Sequence, residues 1–559
     1  MTAIIDAILF DVGGTLRRGT NREFSIKVNL CKRIMDLTSW EADPADFARM
    51  LDERANAYRK WSRQELAELN EIGFWTRWML PELPVDKVSA IAVELNQVWR
   101  NADRSYQVLP DAKETILGLF RGGYHLGLVS NTTSSLEAPN LLADLGLSGY
   151  FEAVVLSCQL GIRKPRPEIL LEATRRMGIP QERCAYIGNL PDRDVASARS
   201  AGFKRTVILR DPLKPFDLPV DPSLLPDHFI DTLKELLVIF PPRSTRKKPA
   251  TNDRIHDIAL STMWGVKKFA VFGDFFLAVP RLGFAKIELN HQVRPDMLAG
   301  IDMREYRIDS IHEPCPAVIA ADMIKKQDLL ISSTDEEHRR EGINSIKRSI
   351  DLAGELGSGT VVVHCGQLPG DWSIEQQLRI LFDKNQAGSL EYLELKERFI
   401  ECRASVVALH LAAVKKSLVE LLEYAWRLKV RLGIENRYHY FDIPTLDEMG
   451  EILELAGPER IGFLYDVGHA QTQDRLGFTP HEAWLMRFAG RMIGAHLHDV
   501  VGIHDHHAPG LGEVDFGWVA GYLPREAFRT LEVTDSNTPE QIREGLQILV
   551  DTGCVNLIQ

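Results

Sequence analysis

From residue 255 to the end of the chain, eight strand-length apolar runs follow one another: DIALSTMWG, FAKIELNHQ, IDSIHEPCP, GTVVVHCGQ, RLGIENRYH, IGFLYDVGHA, MIGAHLHDV and FRTLEVTDS. Most are separated by a helix-period pattern. Strands that alternate with helices build a parallel sheet, and a span of about 300 residues suits eight strands closed into a (β/α)₈ barrel. Residues 373–430, dense in Leu, Glu, Lys and Ala, read as an extended helical stretch with a solvated charged face between the fourth and fifth strands.

Polar side chains fall where these runs end. The third ends in His312, the fourth in His364 and the fifth in Glu435. The sixth ends in Asp466, with His469 three residues on. The seventh reaches His496, its following loop holds Asp505 and His507, and the eighth ends in Glu532. All nine lie at the carboxyl-terminal mouth, where such barrels keep their active sites. A single histidine there has an ordinary explanation as a hydrogen-bonded structural residue, and a single acid as a helix cap. Nine together would cost several kcal/mol per uncompensated ion, which a divalent cation offsets. Imidazole nitrogens mixed with carboxylate oxygens suit Zn or Mn. The segment HLHDVVGIHDHHAPGLGEVDF (496–516) alone carries five histidines. Of these, His498, His504 and His506 are expected to support the ligands or face solvent, because a ligating histidine needs a partner on its other nitrogen.

The first half repeats the alternation on another plan. AIIDAILFDVGGTL is a strand ending in Asp11. Residues 20 to about 105 are largely helical. A buried strand returns at YHLGLVSNTTSS and ends in Ser130 and Asn131, GIRKPRPEI brings Lys164, and AYIGNLPDRDVASARSAG places Asp192 and Asp194 past a further strand. Ligands collect at the carboxyl ends of strands in open α/β sheets. Between the halves, FPPRSTRKKPATNDR (240–254) lacks apolar periodicity and reads as a linker.

The ordered set Asp11, Ser130, Lys164 and Asp194 resembles the haloacid dehalogenase-like hydrolases, over a domain of residues 1–239 with a helical cap at about 20–105. That resemblance implies a Rossmann-like parallel sheet, Asp11 as nucleophile toward phosphate, Ser130, Asn131 and Lys164 as phosphate holders, and Mg held by Asp11 and Asp194. Lys164 and a cation would absorb the charge developing at phosphorus. Two positions depart from the family pattern: Gly13 replaces the usual acid two residues after the nucleophile, and Gly188-Asn189 replaces Gly-Asp. Loss of a positioned acid typically lowers a rate 10²–10⁴-fold, so both a working and a weakened phosphatase stand.

IENR, YDVGHA and the DHHAPGLGEVDF tail resemble the xylose isomerase-like TIM barrels, here over residues 255–559. This superfamily includes sugar-phosphate isomerases and epimerases and the endonuclease IV type of nuclease. In the isomerase branch the resemblance implies one divalent ion on Glu435, Asp466, His496 and Glu532, with the two glutamates as the acid–base pair. In the nuclease branch it implies three zinc ions on all nine residues. VVGIHDHH lacks the arginine that epimerases often carry after the strand-seven histidine. From residue 251 onward there are 32 Lys and Arg against 46 Asp and Glu, a poor match for a nucleic-acid backbone. The expected partner is therefore a small phosphorylated sugar or polyol, with a phosphodiesterase or a non-catalytic scaffold as alternatives and oligomerisation left open. Seven cysteines without a CxxC pair and no apolar run long enough for a membrane span point to a cytoplasmic protein away from membranes.

Overall fold

The computed structural model describes residues 5–211, 221–243 and 255–555. It divides into two compact units, Met1–Thr251 and Asn252–Gln559. The linker expected at 240–254 lies outside the described residues from position 244 on.

The first unit contains β1 (Ala7–Phe10), β2 (Arg17–Asn21), β3 (Arg104–Val108), β4 (His125–Ser130), β5 (Ala153–Leu156), β6 (Cys184–Gly188), β7 (Arg205–Leu209) and β8 (His228–Ile230). Six of these form a parallel sheet in the order β5-β4-β1-β6-β7-β8. β1, β4 and β6 are buried throughout, which is why AILF, HLGLVS and CAYIG are continuous rather than alternating runs. With β1 paired to β4 on one side and β6 on the other, the residues just past three strands meet at one edge, where the connections diverge. Between β2 and β3, which pair antiparallel, the helices Phe24–Thr38, Pro44–Glu65 and Val85–Asp103 enclose their own core of Phe47, Leu51, Trp75, Met79 and Trp99. Helix Pro44–Glu65 starts cleanly because Asp43 accepts from the amides of Ala45 and Asp46 and Pro44 opens the first turn.

The second unit contains β9 (His256–Ser261), β10 (Phe284–Leu289), β11 (Ile308–His312), β12 (Thr360–Val363), β13 (Arg431–Glu435), β14 (Ile461–Asp466), β15 (Met492–Leu497), β16 (Asp499–Val501), β17 (His504–His507) and β18 (Phe528–Leu531). Eight of them close into a barrel in the order β10-β11-β12-β13-β14-β15-β18-β9, and each coincides with one of the eight apolar runs, β9 beginning one residue before DIALSTMWG. Helices Ser373–Asp383 and Leu390–Arg427 separate β12 from β13.

The histidine-rich segment after β15 is more ordered than a loop. β16 and β17 form an antiparallel hairpin, and buried Asp499 fastens the PGLG turn beyond it. Asp499 Oδ1 accepts from the amides of Val500 and Val514, both at 2.9 Å, and its Oδ2 from those of Gly510 at 2.8 Å and Gly512 at 2.9 Å. This explains the second glycine of the turn: a Cβ on Gly512 would stand 2.2 Å from the Val500 carbonyl oxygen and 2.5 Å from Asp499 Oδ1. Asp499→Ala strips four amides of a charged acceptor and is expected to destabilise the barrel by about 3 kcal/mol. The urea midpoint of the barrel's unfolding transition measures it.

Candidate functional site

In the first unit, Asp11 follows β1 directly and is 2% exposed. Lys164, its side chain fully buried, places Nζ 2.7 Å from Asp11 Oδ1 and 3.1 Å from Asp194 Oδ1, and donates to the Val129 carbonyl at 3.1 Å. Its hydrogen bond to the Tyr186 hydroxyl completes the enclosure. Ser130 lines the cleft beside Asp11. The Asn131 side chain is turned toward the loop that carries Lys164. Its amide donates to the Lys164 carbonyl at 3.0 Å and accepts from the Lys164 amide at 2.9 Å, so both ends fix the lysine's loop. Gly13, where the family's second acid would stand, opens into free space.

The sequence reading missed Arg193. Its guanidinium reaches Asp11 Oδ2, Asp194 Oδ2 and the Asn189 side-chain oxygen at 3.1, 3.1 and 3.0 Å, and its Nε donates to Asp194 Oδ1 at 3.1 Å. Asp194 Oδ2 also accepts the amides of Asn189 and Leu190, each at 3.0 Å. Burial opposes ionisation of Asp194, but Arg193 and Lys164 override it and hold its carboxyl well below the usual range. Two glycines make the arrangement possible. A Cβ on Gly188 would fall 2.5 Å from the Asp194 carboxylate, and one on Gly14, at φ +88°, would fall 2.1 Å from the Asn189 amide. Magnesium prefers an octahedron of oxygens, several of them water. Here all four carboxylate oxygens of Asp11 and Asp194 already face N–H donors, so the donor set does not fit the Mg expected there.

In the barrel, eight of the nine expected residues converge in the interior of the mouth. At the centre is His496, fully buried. Its Nε2 lies 3.0 Å from Glu288 Oε2, which fixes the proton on that nitrogen. Its Nδ1 lies 2.9 Å from Glu435 Oε1, 2.8 Å from Glu532 Oε2 and 3.7 Å from Asp466 Oδ2. Neither His496 Nδ1 nor Glu435 Oε1 has a hydrogen-bond partner, though both are buried. Burial alone would lower the His496 pKa, but Glu288 and Glu532 raise it well above the ordinary imidazole value, and the same field favours a cation. His312 donates Nδ1–H to the Glu313 carbonyl at 3.0 Å, and His469 donates Nδ1–H to the Asn436 carbonyl at 2.9 Å. Each is thereby left with a basic Nε2, the orientation a metal-binding histidine requires. His364 contacts Glu435 Oε2 at 2.8 Å.

Four groups could each hold one ion: His312, Glu435, His496 and Glu532; Glu435, Asp466 and His469; His469, Asp505 and His506; and Asp466, His498 and His506. The last is accounted for by hydrogen bonds. The His506 amide donates to His498 Nδ1 at 2.9 Å, so His498 Nε2–H donates to both Asp466 oxygens at 3.0 Å and supports that ligand. The expected ligand His507 is in none of these groups, and its neighbour His506 is in two of them. Strict strand alternation would turn Asp505 and His507 to one side, but His506 adopts φ +60°. That twist breaks the alternation and brings Asp505 and His506 together, with His506 Nδ1 2.9 Å from Asp505 Oδ1. His506 holds the Asp505 carboxyl at about 2, against the opposing effect of burial. Glu288, Arg437 and His291 were also missed. Arg437 pairs with Glu435 and with Asp442, and His291 lines the cavity of about 210 Å³ above the cluster. The donor set, with its unpartnered nitrogen and oxygen, fits a divalent cation.

A family model described as xylose isomerase-like TIM barrel matches residues 281–552, and one described as haloacid dehalogenase-like hydrolase matches residues 5–202. The first unit thus carries a haloacid dehalogenase-like hydrolase domain and the second a xylose isomerase-like TIM barrel domain. The hydrolase unit is 34% identical over 128 residues to a glyceraldehyde 3-phosphate phosphatase of Methanopyrus kandleri, covering 23% of this chain and 54% of that protein. It is 31% identical over 147 residues to a phosphoserine phosphatase of Thermus thermophilus, covering 26% and 57%. The chain thus spans little more than half the length of these curated relatives. Among solved structures, a D-tagatose 3-epimerase-like protein matches at 19% identity and a TM-score of 0.39, covering 53% of this chain and 96% of its own. A 2-haloacid dehalogenase from Pseudomonas syringae matches at 21% and 0.32, covering 42% and 98%. Among the described residues no helix is long and apolar enough to cross a membrane.

The depressed Asp194 carboxyl has a consequence for acid stability. Its folded pKa lies below the ordinary 3.8, so its contribution is fully present above about pH 4 and is lost as pH falls through the folded value. Asp194→Asn should flatten the acid limb of the hydrolase unit's stability curve and lower its stability at pH 7 by about 3–5 kcal/mol, since it leaves the buried Lys164 and the half-buried Arg193 short of a partner. Urea titrations between pH 2 and 7 test both.

Proposed function

We propose that the barrel is a divalent-metal-dependent isomerase or epimerase acting on a small phosphorylated sugar or polyol, and that the hydrolase unit removes phosphate from a small phosphate ester. The observation that carries the barrel reading is the pair His496 Nδ1 and Glu435 Oε1, buried, 2.9 Å apart and without hydrogen-bond partners, with Glu532 on the other side of the same nitrogen. Glu435, Asp466, His496 and Glu532 would hold the cation, with His312 beside them. Once bound, it would polarise a substrate carbonyl and its neighbouring hydroxyl. Glu435 and Glu532 come from strands on different sides of the mouth and could remove and return a proton at the adjacent carbon. His364 and Arg437 hold Glu435 by its other oxygen, and Asn290 donates to Glu532 Oε1 at 3.0 Å, so both carboxylates are oriented. A cavity of about 210 Å³, below the ~300 Å³ typical of drug-sized sites, favours a small metabolite over a polymer. Lys325 and Arg437 on its wall suit a phosphate.

One observation favours a second reading. His469, Asp505 and His506 form a further ligand group beside the first, and a multinuclear site would suit phosphodiester hydrolysis. Metal analysis of the full-length chain, purified without chelator, separates the two. One ion per chain is expected, whereas three zinc ions would replace the isomerase reading and no ion would remove both. Glu532→Gln is expected to abolish solvent-proton exchange at the carbon next to the carbonyl of a ketose phosphate, and to leave p-nitrophenyl phosphate hydrolysis unchanged.

In the hydrolase unit the Asp11 carboxylate would attack phosphorus, forming an acyl phosphate as the ester oxygen leaves. With glycine at position 13, that oxygen would take its proton from solvent. Aryl phosphates should therefore turn over faster than alkyl phosphates. Gly13→Asp, for which there is free space, should raise alkyl phosphate turnover by about 10²-fold or more, as measured by phosphate release.

A further inference from the structure

We propose that Arg193 is a built-in cation that takes the place of a divalent metal ion in the hydrolase unit, so that the Asp11 site operates without magnesium. The inference concerns the cation alone and holds whether or not Asp11 turns over a phosphate ester.

Three observations carry it. First, the guanidinium bridges the two carboxylates that a metal would bridge, reaching Asp11 Oδ2 and Asp194 Oδ2 at 3.1 Å each, and it also takes the side-chain oxygen of Asn189 at 3.0 Å. Second, no carboxylate oxygen is left over. Lys164 occupies Asp11 Oδ1, Arg193 and Lys164 share Asp194 Oδ1, and two backbone amides join Arg193 on Asp194 Oδ2. A metal ion would have to displace the guanidinium. Third, the charge is balanced. Two buried carboxylates face Lys164 and Arg193, and a divalent cation added to this set would leave two positive charges uncompensated. The neutral amide at Asn189 obeys the same balance. It accepts from Arg193 without adding a third negative charge, whereas an aspartate there would attract a metal.

The replacement changes how an anion would be held. Magnesium binds phosphate oxygens at short range and can exchange its waters for them. A guanidinium offers planar, directional N–H donors and cannot lose its charge. Arg193 keeps 22% of its side-chain surface exposed on the cleft that Asp11 and Ser130 line. It can thus contact Asp11 and an incoming oxyanion together.

The test counts Mn²⁺ bound to the full-length chain by electron paramagnetic resonance, which reads the hydrolase site as a difference between variants whatever the barrel holds. Arg193→Ala should bind one more ion per chain than the wild type, and Asp11→Asn in the wild-type background should change the count by none. Equal counts in the wild type and Arg193→Ala, or the loss of one ion in Asp11→Asn, would overturn the proposal. If Arg193→Ala does not fold, Arg193→Gln makes the same comparison with a side chain closer in size. Where wild-type hydrolysis of p-nitrophenyl phosphate is measurable, it should survive EDTA, whereas that of the Arg193 variant should depend on added Mg²⁺. Abolition of the wild-type rate by EDTA would also overturn the proposal.

Discussion

Carboxylates buried at the ends of parallel strands set the terms for both units. An isolated buried carboxylate is so costly that it must either neutralise or find a partner. In the hydrolase unit Asp11 and Asp194 meet the fixed cations Lys164 and Arg193, and the site is complete from its own side chains. In the barrel Glu288, Glu435, Asp466 and Glu532 crowd around one imidazole, and His496 has a single nitrogen left to face three of them. A ring of acids around one unpartnered nitrogen asks for a cation that the chain does not itself supply.

That contrast sets the roles of the supporting residues. In the barrel the histidines are presented by neighbours that hold the far nitrogen: Glu288 behind His496, the Glu313 carbonyl behind His312 and the Asn436 carbonyl behind His469. His498, tied to the His506 amide, becomes a donor to Asp466 rather than a ligand. In the hydrolase unit the support is steric. Gly188 and Gly14 make room for Asp194 and Asn189, and Asn131 holds the backbone from which Lys164 reaches inward.

The hairpin after β15 joins the barrel's scaffold to its chemistry. Asp499 gathers four amides and pulls the PGLG turn against β16, which sets where β17 returns. The positive φ at His506 then decides which of three successive residues face the cluster. Loops that carry function on a rigid scaffold are common; here one buried carboxylate makes the loop part of the scaffold.

Eight apolar runs and the polar residues at their ends were readable because they are local signals. A buried strand needs an unbroken apolar stretch, and in a parallel barrel every strand ends at the same mouth, so residues such as His312, Glu435 and Asp466 could be assigned to it without knowing their neighbours. Asp11, Lys164 and Asp194 were readable for the same reason. Whatever depends on the direction of a side chain was decided only by the tertiary structure. Glu288 looks like an ordinary acid in FAKIELN until His496, 208 residues away, is set against it. His506 rather than His507 enters the cluster because of one backbone angle. Arg193 is a basic residue in an acidic turn until that turn aims it at Asp11, 182 residues earlier. Strand order and strand ends are fixed by short-range patterns of burial, whereas the pairing of buried charges is fixed by long-range contacts that no local pattern encodes.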